Sequence, residues 1–367
     1  MIKIKLLLGT LLISSVLLFG CATTSTTSTS TTTTTASTTS TSTTTTSSTS
    51  TTTTSTSTTT TLAPNLYDIN FNTSGVGLAV GADGMVLRTD NSGLSWEVLD
   101  IGSSEDFYLV YSNDDGTGTL LGTNGTYLAS NDGETGWGEQ FNAPDTTETL
   151  YFFDVFNDDG IGLIAGSNGT ILRSQTLGGT FEAITGVTTF DIFALTSNGG
   201  NTILGCGSNG LIIVSTDTGE SWTVAESDTI NDLYSIIYQP EMNLIFAVGA
   251  NNTLLASDSF ALTWESSNID LVSSSTDFYT MGGIGNNLYI VGANGTILET
   301  ADFVTWTTKE SGTTSTLRKW VGLEDNEENP TGYFFIGDNM TMLRSTDGTT
   351  WYLSNDGGQT WGPPFSW

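Results

Sequence analysis

Histidine is missing altogether from the 367 residues. Its absence rules out a Ser-His-Asp triad and every imidazole metal ligand. Cysteine is nearly missing too: the two present, Cys21 and Cys206, define no disulfide framework. Lysine and arginine together number 8 against 39 acidic residues. A nucleic-acid surface needs clustered cations, so that class of partner is excluded. No stretch carries a 3.6-residue apolar period long enough for a substantial helix, which leaves an all-β chain.

What is present begins with a leader. Lys3 and Lys5 precede the apolar run Leu6 to Phe19, the layout of an export signal. Its end, Leu18-Phe19-Gly20-Cys21, resembles a bacterial lipobox. That resemblance implies cleavage after residue 20 and acylation of Cys21, with Ala22 favouring an outer-membrane or surface destination. Removing the two leader lysines leaves 39 acidic residues against 6 basic ones, an excess of 33 negative charges. From residue 21 to 61 almost every residue is Ser or Thr. Such a stretch has no apolar face to offset the entropy of ordering and reads as an extended tether. The folded region is expected over 62–367.

Within that region one unit recurs. A turn glycine falls at Gly81, Gly122, Gly166, Gly207, Gly249, Gly292 and Gly337. A closing aromatic falls at Trp96, Trp137, Phe181, Trp222, Trp264, Trp306 and Trp351. Seven copies spaced by about 41 to 45 residues read as a radial array of four-stranded sheets, a seven-bladed β-propeller. Asn-Gly pairs at Asn124-Gly125, Asn168-Gly169, Asn209-Gly210 and Asn294-Gly295 supply the positive φ angles of two-residue hairpins between second and third strands. The first unit already holds an innermost strand near Leu66 to Phe71, so the ring is expected to close without a strand shared between the two ends. Asn355 to Trp367 is then left as an appended hairpin.

A second signature lies between the third and fourth strands. Ser215 to Trp222 and Ser354 to Trp361 both read S-x-D-x-G-x-[ST]-W, with weaker copies at Thr89 to Trp96 and Ser130 to Trp137. The acid accepts backbone N–H groups across the turn, glycine takes the left-handed position and tryptophan packs above. This pattern resembles the Asp box of bacterial neuraminidase repeats. Together with strands such as Gly166 to Ser174, it resembles the photosystem II assembly/stability factor family of seven-bladed propellers. That family implies a protein interaction and assembly role. The Asp box also raises a sialidase-like hydrolase, which uses three converging arginines. Here Arg88, Arg173 and Arg344 hold equivalent places in their repeats and are expected not to converge. No enzyme, no cofactor and no metal site is therefore expected. Acidic turns at Asn113 to Gly116 and Asn157 to Gly160, and the run Glu324 to Asn329, read as solvated turns, since none carries the spacing of a calcium loop. Cys206 reads as a small buried apolar residue.

The candidate binding residues sit at the start of the innermost strands. An apolar residue is followed there by Tyr67, Tyr108, Tyr151, Tyr234 and Tyr279, with Asp191 expected in the fourth unit and Arg318, then Lys319, in the seventh. These form a ring at the channel mouth carrying the inter-unit loops. One reading packs the tyrosines between sheets with only the hydroxyls in water. The other makes the ring a docking site in which Lys309, Arg318 and Lys319 draw an acidic partner. On that second reading, glutamate at 318 and 319 abolishes capture and leaves the thermal midpoint nearly unchanged. The chain thus reads as a lipid-anchored, extracytoplasmic scaffold, monomeric, with a protein or a glycan as partner. A surface carbohydrate-binding or sialidase-like protein is the alternative.

Overall fold

The computed structural model describes residues 63–367 apart from 140–143, 157–159, 176–179, 241, 259–262, 268, 285–286 and 324–331. The leader, Cys21, the tether, the acidic positions 157–159 and the run from Glu324 to Asn329 lie outside the described residues. Seven antiparallel sheets follow one another, each built from one contiguous stretch. Their first strands are Leu66–Phe71, Phe107–Ser112, Leu150–Phe156, Ile192–Ser197, Leu233–Gln239, Phe278–Ile284 and Leu317–Gly322. Each packs against the first strand of the next blade, and Leu317–Gly322 returns to Leu66–Phe71. This is a closed seven-bladed propeller with its innermost strands around a central channel.

Glycine and asparagine set the geometry of every blade. At each second-to-third-strand turn two successive residues adopt positive φ: Asp83-Gly84, Asn124-Gly125, Asn168-Gly169, Asn209-Gly210, Asn251-Asn252, Asn294-Gly295 and Asn339-Met340. The four expected Asn-Gly hairpins are therefore joined by three that differ at one of the two places. The glycine ending each second strand is needed for a different reason. A Cβ on Gly207 would stand 1.8 Å from the Asp191 carbonyl oxygen, and equivalent clashes occur at the other six. That carbonyl accepts a hydrogen bond from the next N–H, Ser208 to Asp191 at 3.0 Å, which locks the first strand's start against the hairpin.

The core lies between blades and not within one. Leu78, Val80, Val86, Phe107, Val110 and Leu120 form one cluster across blades 1 and 2. Leu66, Ile69, Leu87 and Trp96 meet Phe334, Ile336, Met340 and Met342 across blades 7 and 1. The closing seam uses a backbone contact found at other seams: Met340 N–H donates to Pro64 at 2.9 Å, as Gly84 does to Glu105.

The turns before the fourth strands have the expected local chemistry. Asp217 accepts from the Ser221 N–H at 2.8 Å, Gly219 N–H donates to the Ser215 hydroxyl at 2.8 Å, and Trp222 Nε1–H donates to the Gly219 carbonyl at 3.1 Å. Hydrogen bonds from Thr135 and Glu134 hold Asp132 well below the usual carboxylate range, and Thr350 and Thr349 do the same for Asp347. The acids of the turn at Asn113 to Gly116 are likewise engaged. Asp114 accepts from Thr73 of the first blade, and Asp115 from Thr117.

The last residues do not form a separate hairpin. Phe365–Ser366 pairs with Thr350–Ser354 as a fifth strand of blade 7. Before it, Trp361 donates its indole N–H to Leu94 of blade 1 at 3.0 Å. Trp367 stacks on Trp351 at 4.2 Å and donates to the Glu310 carbonyl at 2.7 Å. Closure involves no shared strand, yet this segment spans the seam with its side chains. The apolar and aromatic content of Asn355 to Trp367 explains why it packs and does not hang free.

Candidate functional site

Every first strand carries a β-bulge at its second residue. Pairing jumps from Leu66 to Asp68, from Phe107 to Leu109, and equivalently in the other five blades. The skipped residues are Tyr67, Tyr108, Tyr151, Phe193, Tyr234, Tyr279 and Arg318. A bulge frees one residue from the ladder and re-aims its side chain, here into the channel. All seven line a cavity of about 660 Å³.

They form an unbroken ring. Going round, neighbouring centroids stand 4.9, 5.1, 5.3, 5.7 and 5.0 Å apart from Tyr67 to Tyr279. The Arg318 guanidinium closes the circle, 4.7 Å from the Tyr279 centroid and 5.4 Å from that of Tyr67. A heptagon with such sides is roughly 12 Å across between opposed centroids, and the rings' own widths narrow it to about one side chain. Tyr67 lies flat against Tyr108, and Tyr234 against Tyr279, so much of the aromatic face area is spent within the ring.

Six expected members, the five tyrosines and Arg318, are in place, but Asp191 is not. The fourth blade's ring residue is Phe193. Asp191 sits just before the strand and accepts the Asn168 N–H of the preceding blade at 2.9 Å. Asp106, Asp232 and Asp277 serve the same role for Asp83, Asn209 and Asn251. The Asp-apolar pairs Asp106-Phe107, Asp232-Leu233 and Asp277-Phe278 were the available signal. They align Asp191 with Ile192, and so Phe193 with the tyrosines.

The basic residues are also committed to partners. Arg318 Nε meets Asp338 Oδ1 at 2.5 Å and its Nη2 meets Oδ2 at 3.3 Å. Burial opposes its charge, but Asp338 outweighs that and raises the Arg318 pKa. Lys319 pairs with Asp68 at 3.0 Å across the closing seam, while the other Asp68 oxygen accepts the Val110 N–H of blade 2 at 2.9 Å. Lys309 does not reach the channel; it pairs with Glu299 at 2.8 Å and faces Trp367. The three cations anticipated as free attractants are each paired with a carboxylate. Asp338 and Asp68, the counter-charges, escaped sequence reasoning because they lie 20 positions after Arg318 and 251 before Lys319. Glutamate at 318 and 319 would face those acids, so an unchanged midpoint is no longer expected.

Burial raises the pKa of all five ring tyrosines, with Tyr108 and Tyr234 pushed up to about 12. Neighbouring carboxylates add to this: Asp106 acts on Tyr67 and Tyr108, and Asp232 and Asp277 on Tyr234. The mouth is therefore an aromatic ring under a crown of acids. Arg88, Arg173 and Arg344 do not converge. Arg88 reaches Glu134 of blade 2, Arg173 donates to the Thr218 carbonyl of blade 4, and Arg344 packs over Tyr352 and Trp361. Cys206 is fully buried, as expected.

This geometry defines a rigid seven-bladed propeller with a narrowed, aromatic channel mouth. No family model and no curated protein matches the sequence. Among solved structures the chain is similar in fold to YCF48 bound to D1 peptide, with a TM-score of 0.64 and 17% identity. That match covers 78% of this chain and 92% of the other. YCF48 from Cyanidioschyzon merolae aligns with a TM-score of 0.61 and 17% identity, over 77% and 95% of the two chains. An ancestral GH74 enzyme aligns with a TM-score of 0.62 and 12% identity, over 82% of this chain but 46% of its own length. The likeness to YCF48, a photosystem II assembly factor, agrees with the resemblance read from the repeats, and the TM-scores show a shared fold.

Proposed function

We propose that the protein is a lipid-anchored, extracytoplasmic interaction scaffold that binds a polypeptide partner on the face carrying the channel mouth. The observation that supports this most is the ring itself. Seven bulges each spend a ladder position to present a side chain at the mouth, which sheet pairing alone does not require. The anchor is Cys21, joined to the propeller through the Ser/Thr-rich stretch. Hairpins at this face are bonded to the next blade, as Asp83 is to Asp106 and Asn209 to Asp232, so it offers a preformed surface. The likeness to a propeller solved with a bound peptide supports a polypeptide as the ligand class. The likeness to part of a GH74 enzyme keeps a glycan as the second reading.

A photo-crosslinking residue in place of Tyr151, expressed in cells, tests the reading. Adducts with one or a few discrete polypeptides are expected, in excess over the same residue placed at Val224 on an outermost strand. Equal labelling from both positions, with selective retention on a glycan array, would shift the assignment to carbohydrate.

A further inference from the structure

Three successive inter-blade loops at the mouth leave large apolar side chains uncovered. Phe190, before blade 4, is 43% exposed; Ile230, before blade 5, is 81%; Leu271, before blade 6, is 52%. The repeat shows that the first two are not architecture. Two positions before the buried residue that opens blades 2 and 3 stand Glu105 and Glu148. Each accepts from its own hairpin, from Asn124 at 2.8 Å and from Asn168 at 2.7 Å. Phe190 holds that place in blade 4 and makes no such bond. Ile230 stands where other blades have Ser104, Thr147, Thr189, Ser275 and Thr314. An exposed aliphatic residue there costs solubility and adds nothing to the ring.

Charge in this sector is one-sided. From Ser174 to Thr308 there is no lysine or arginine, against 14 acidic residues. Glu226, Asp228, Asp232, Asp270 and Asp277 lie in the same loops as the apolar residues, or just after them. Arg318, in blade 7 beside this sector, is neutralised by Asp338. We infer that the blade 4–6 sector of the mouth docks a cationic, amphipathic segment of the partner polypeptide. Its apolar side chains cover Phe190, Ile230 and Leu271, and its lysines or arginines meet the surrounding carboxylates. This rests on the reading of the mouth as a polypeptide-binding face, and it names the partner's chemistry.

The test uses a labelled 12-residue peptide of alternating lysine and leucine, with versions replacing lysine by glutamate or leucine by serine. Anisotropy should show binding of the Lys/Leu peptide that weakens with salt, weak binding of Lys/Ser, and none of Glu/Leu. Non-specific attraction to an acidic protein is separated by Phe190→Glu with Ile230→Glu. That variant adds two negative charges, so simple electrostatics would strengthen binding, whereas docking predicts a loss of about tenfold or more. Glutamate at 190 copies blades 2 and 3, so the fold should tolerate it. As a control, Val98→Glu with Val224→Glu, on outermost strands, should not weaken binding. Unchanged or tighter binding by the Phe190/Ile230 variant overturns the inference, as does preference for the Glu/Leu peptide. Capture of phosphatidylcholine vesicles in place of peptide overturns it too. Selective adducts from position 151 would stand through any of these, so the two readings fail separately.

Discussion

Replacing Arg318 with methionine should destabilise the protein even though Arg318 lines the channel. The side chain is a quarter exposed and its partner Asp338 a fifth. Removing one member of a fully buried pair costs about 3–5 kcal/mol, and partial solvation here reduces that to about 2. Two cation–π contacts, with Tyr67 and Tyr279, contribute roughly 0.5 kcal/mol each at such exposure. The expected loss is about 3 kcal/mol. A domain of this size shifts by roughly 1.5–2 °C per kcal/mol, so the midpoint should fall by about 5 °C. Asp338→Asn removes the counter-charge and leaves a hydrogen-bond acceptor, so it should cost less, about 1–2 kcal/mol. Because both changes break the same pair, the double variant should be less destabilised than the sum, with a coupling of about 1–2 kcal/mol. Urea unfolding followed by tryptophan fluorescence on the four proteins measures the cycle. Additive effects, or an Arg318→Met midpoint within error of the parent, would falsify the view that Arg318 is a structural keystone of the ring. It would then be free to serve a ligand.

Three further outcomes are expected. Tyr108 and Tyr234 are protonated in the fold up to about 12 but ionise near 10 when unfolded. The native state therefore holds more protons in that window, and stability, fully present below pH 10, should fall as pH rises towards 12; absorbance of tyrosinate appearing before loss of circular dichroism would contradict this. Gly207→Ala should cost about 3 kcal/mol, since the new methyl meets a backbone carbonyl that cannot rotate away; a chemical-denaturation midpoint near the parent's would show that the strand start gives way more easily than the geometry implies. Cys21→Ser should release the protein from the membrane fraction, because an acyl chain is the proposed anchor; unaltered fractionation and no lipid mass on the Cys21 peptide would remove that claim.

The fold was legible because its physics is local and repeated seven times. Gly81 and its six counterparts mark a backbone contact that tolerates no Cβ, so they recur whatever the surrounding residues do. The Ser-x-Asp turns carry their own hydrogen-bond acceptor and need no distant partner. The closing segment was harder. Trp361 and Trp367 belong to a recognisable turn and tail, but their partners Leu94 and Glu310 are 267 and 57 residues away. The ring was read correctly at six of seven places and missed at Phe193. Asp191, which follows the apolar Phe190, fits the sequence pattern of the ring position, but the strand opens at Ile192 and the bulge falls on Phe193. The ion pairs were invisible for a related reason. Asp68 and Lys319 become neighbours only because blades 1 and 7 meet.

The places where the repeat departs from itself therefore fall into two kinds, and the structure separates them. Arg318 breaks the aromatic series, but its charge, its plane and its donors are all used within the ring: by Asp338, Tyr67 and Tyr279. Phe193 breaks the series too, and lies between Tyr151 and Tyr234 with no role beyond theirs. Phe190 and Ile230 differ from both. They replace polar residues with exposed apolar ones, and nothing among the described residues covers them. A departure absorbed by its neighbours is an alternative solution to packing. One that forfeits a hydrogen bond and leaves apolar area in water lowers the stability of the isolated chain, and it is offset only by burial against something else. By that criterion the loops before blades 4 and 5, beside the ring at the same mouth, are where the proposed partner would cover apolar area.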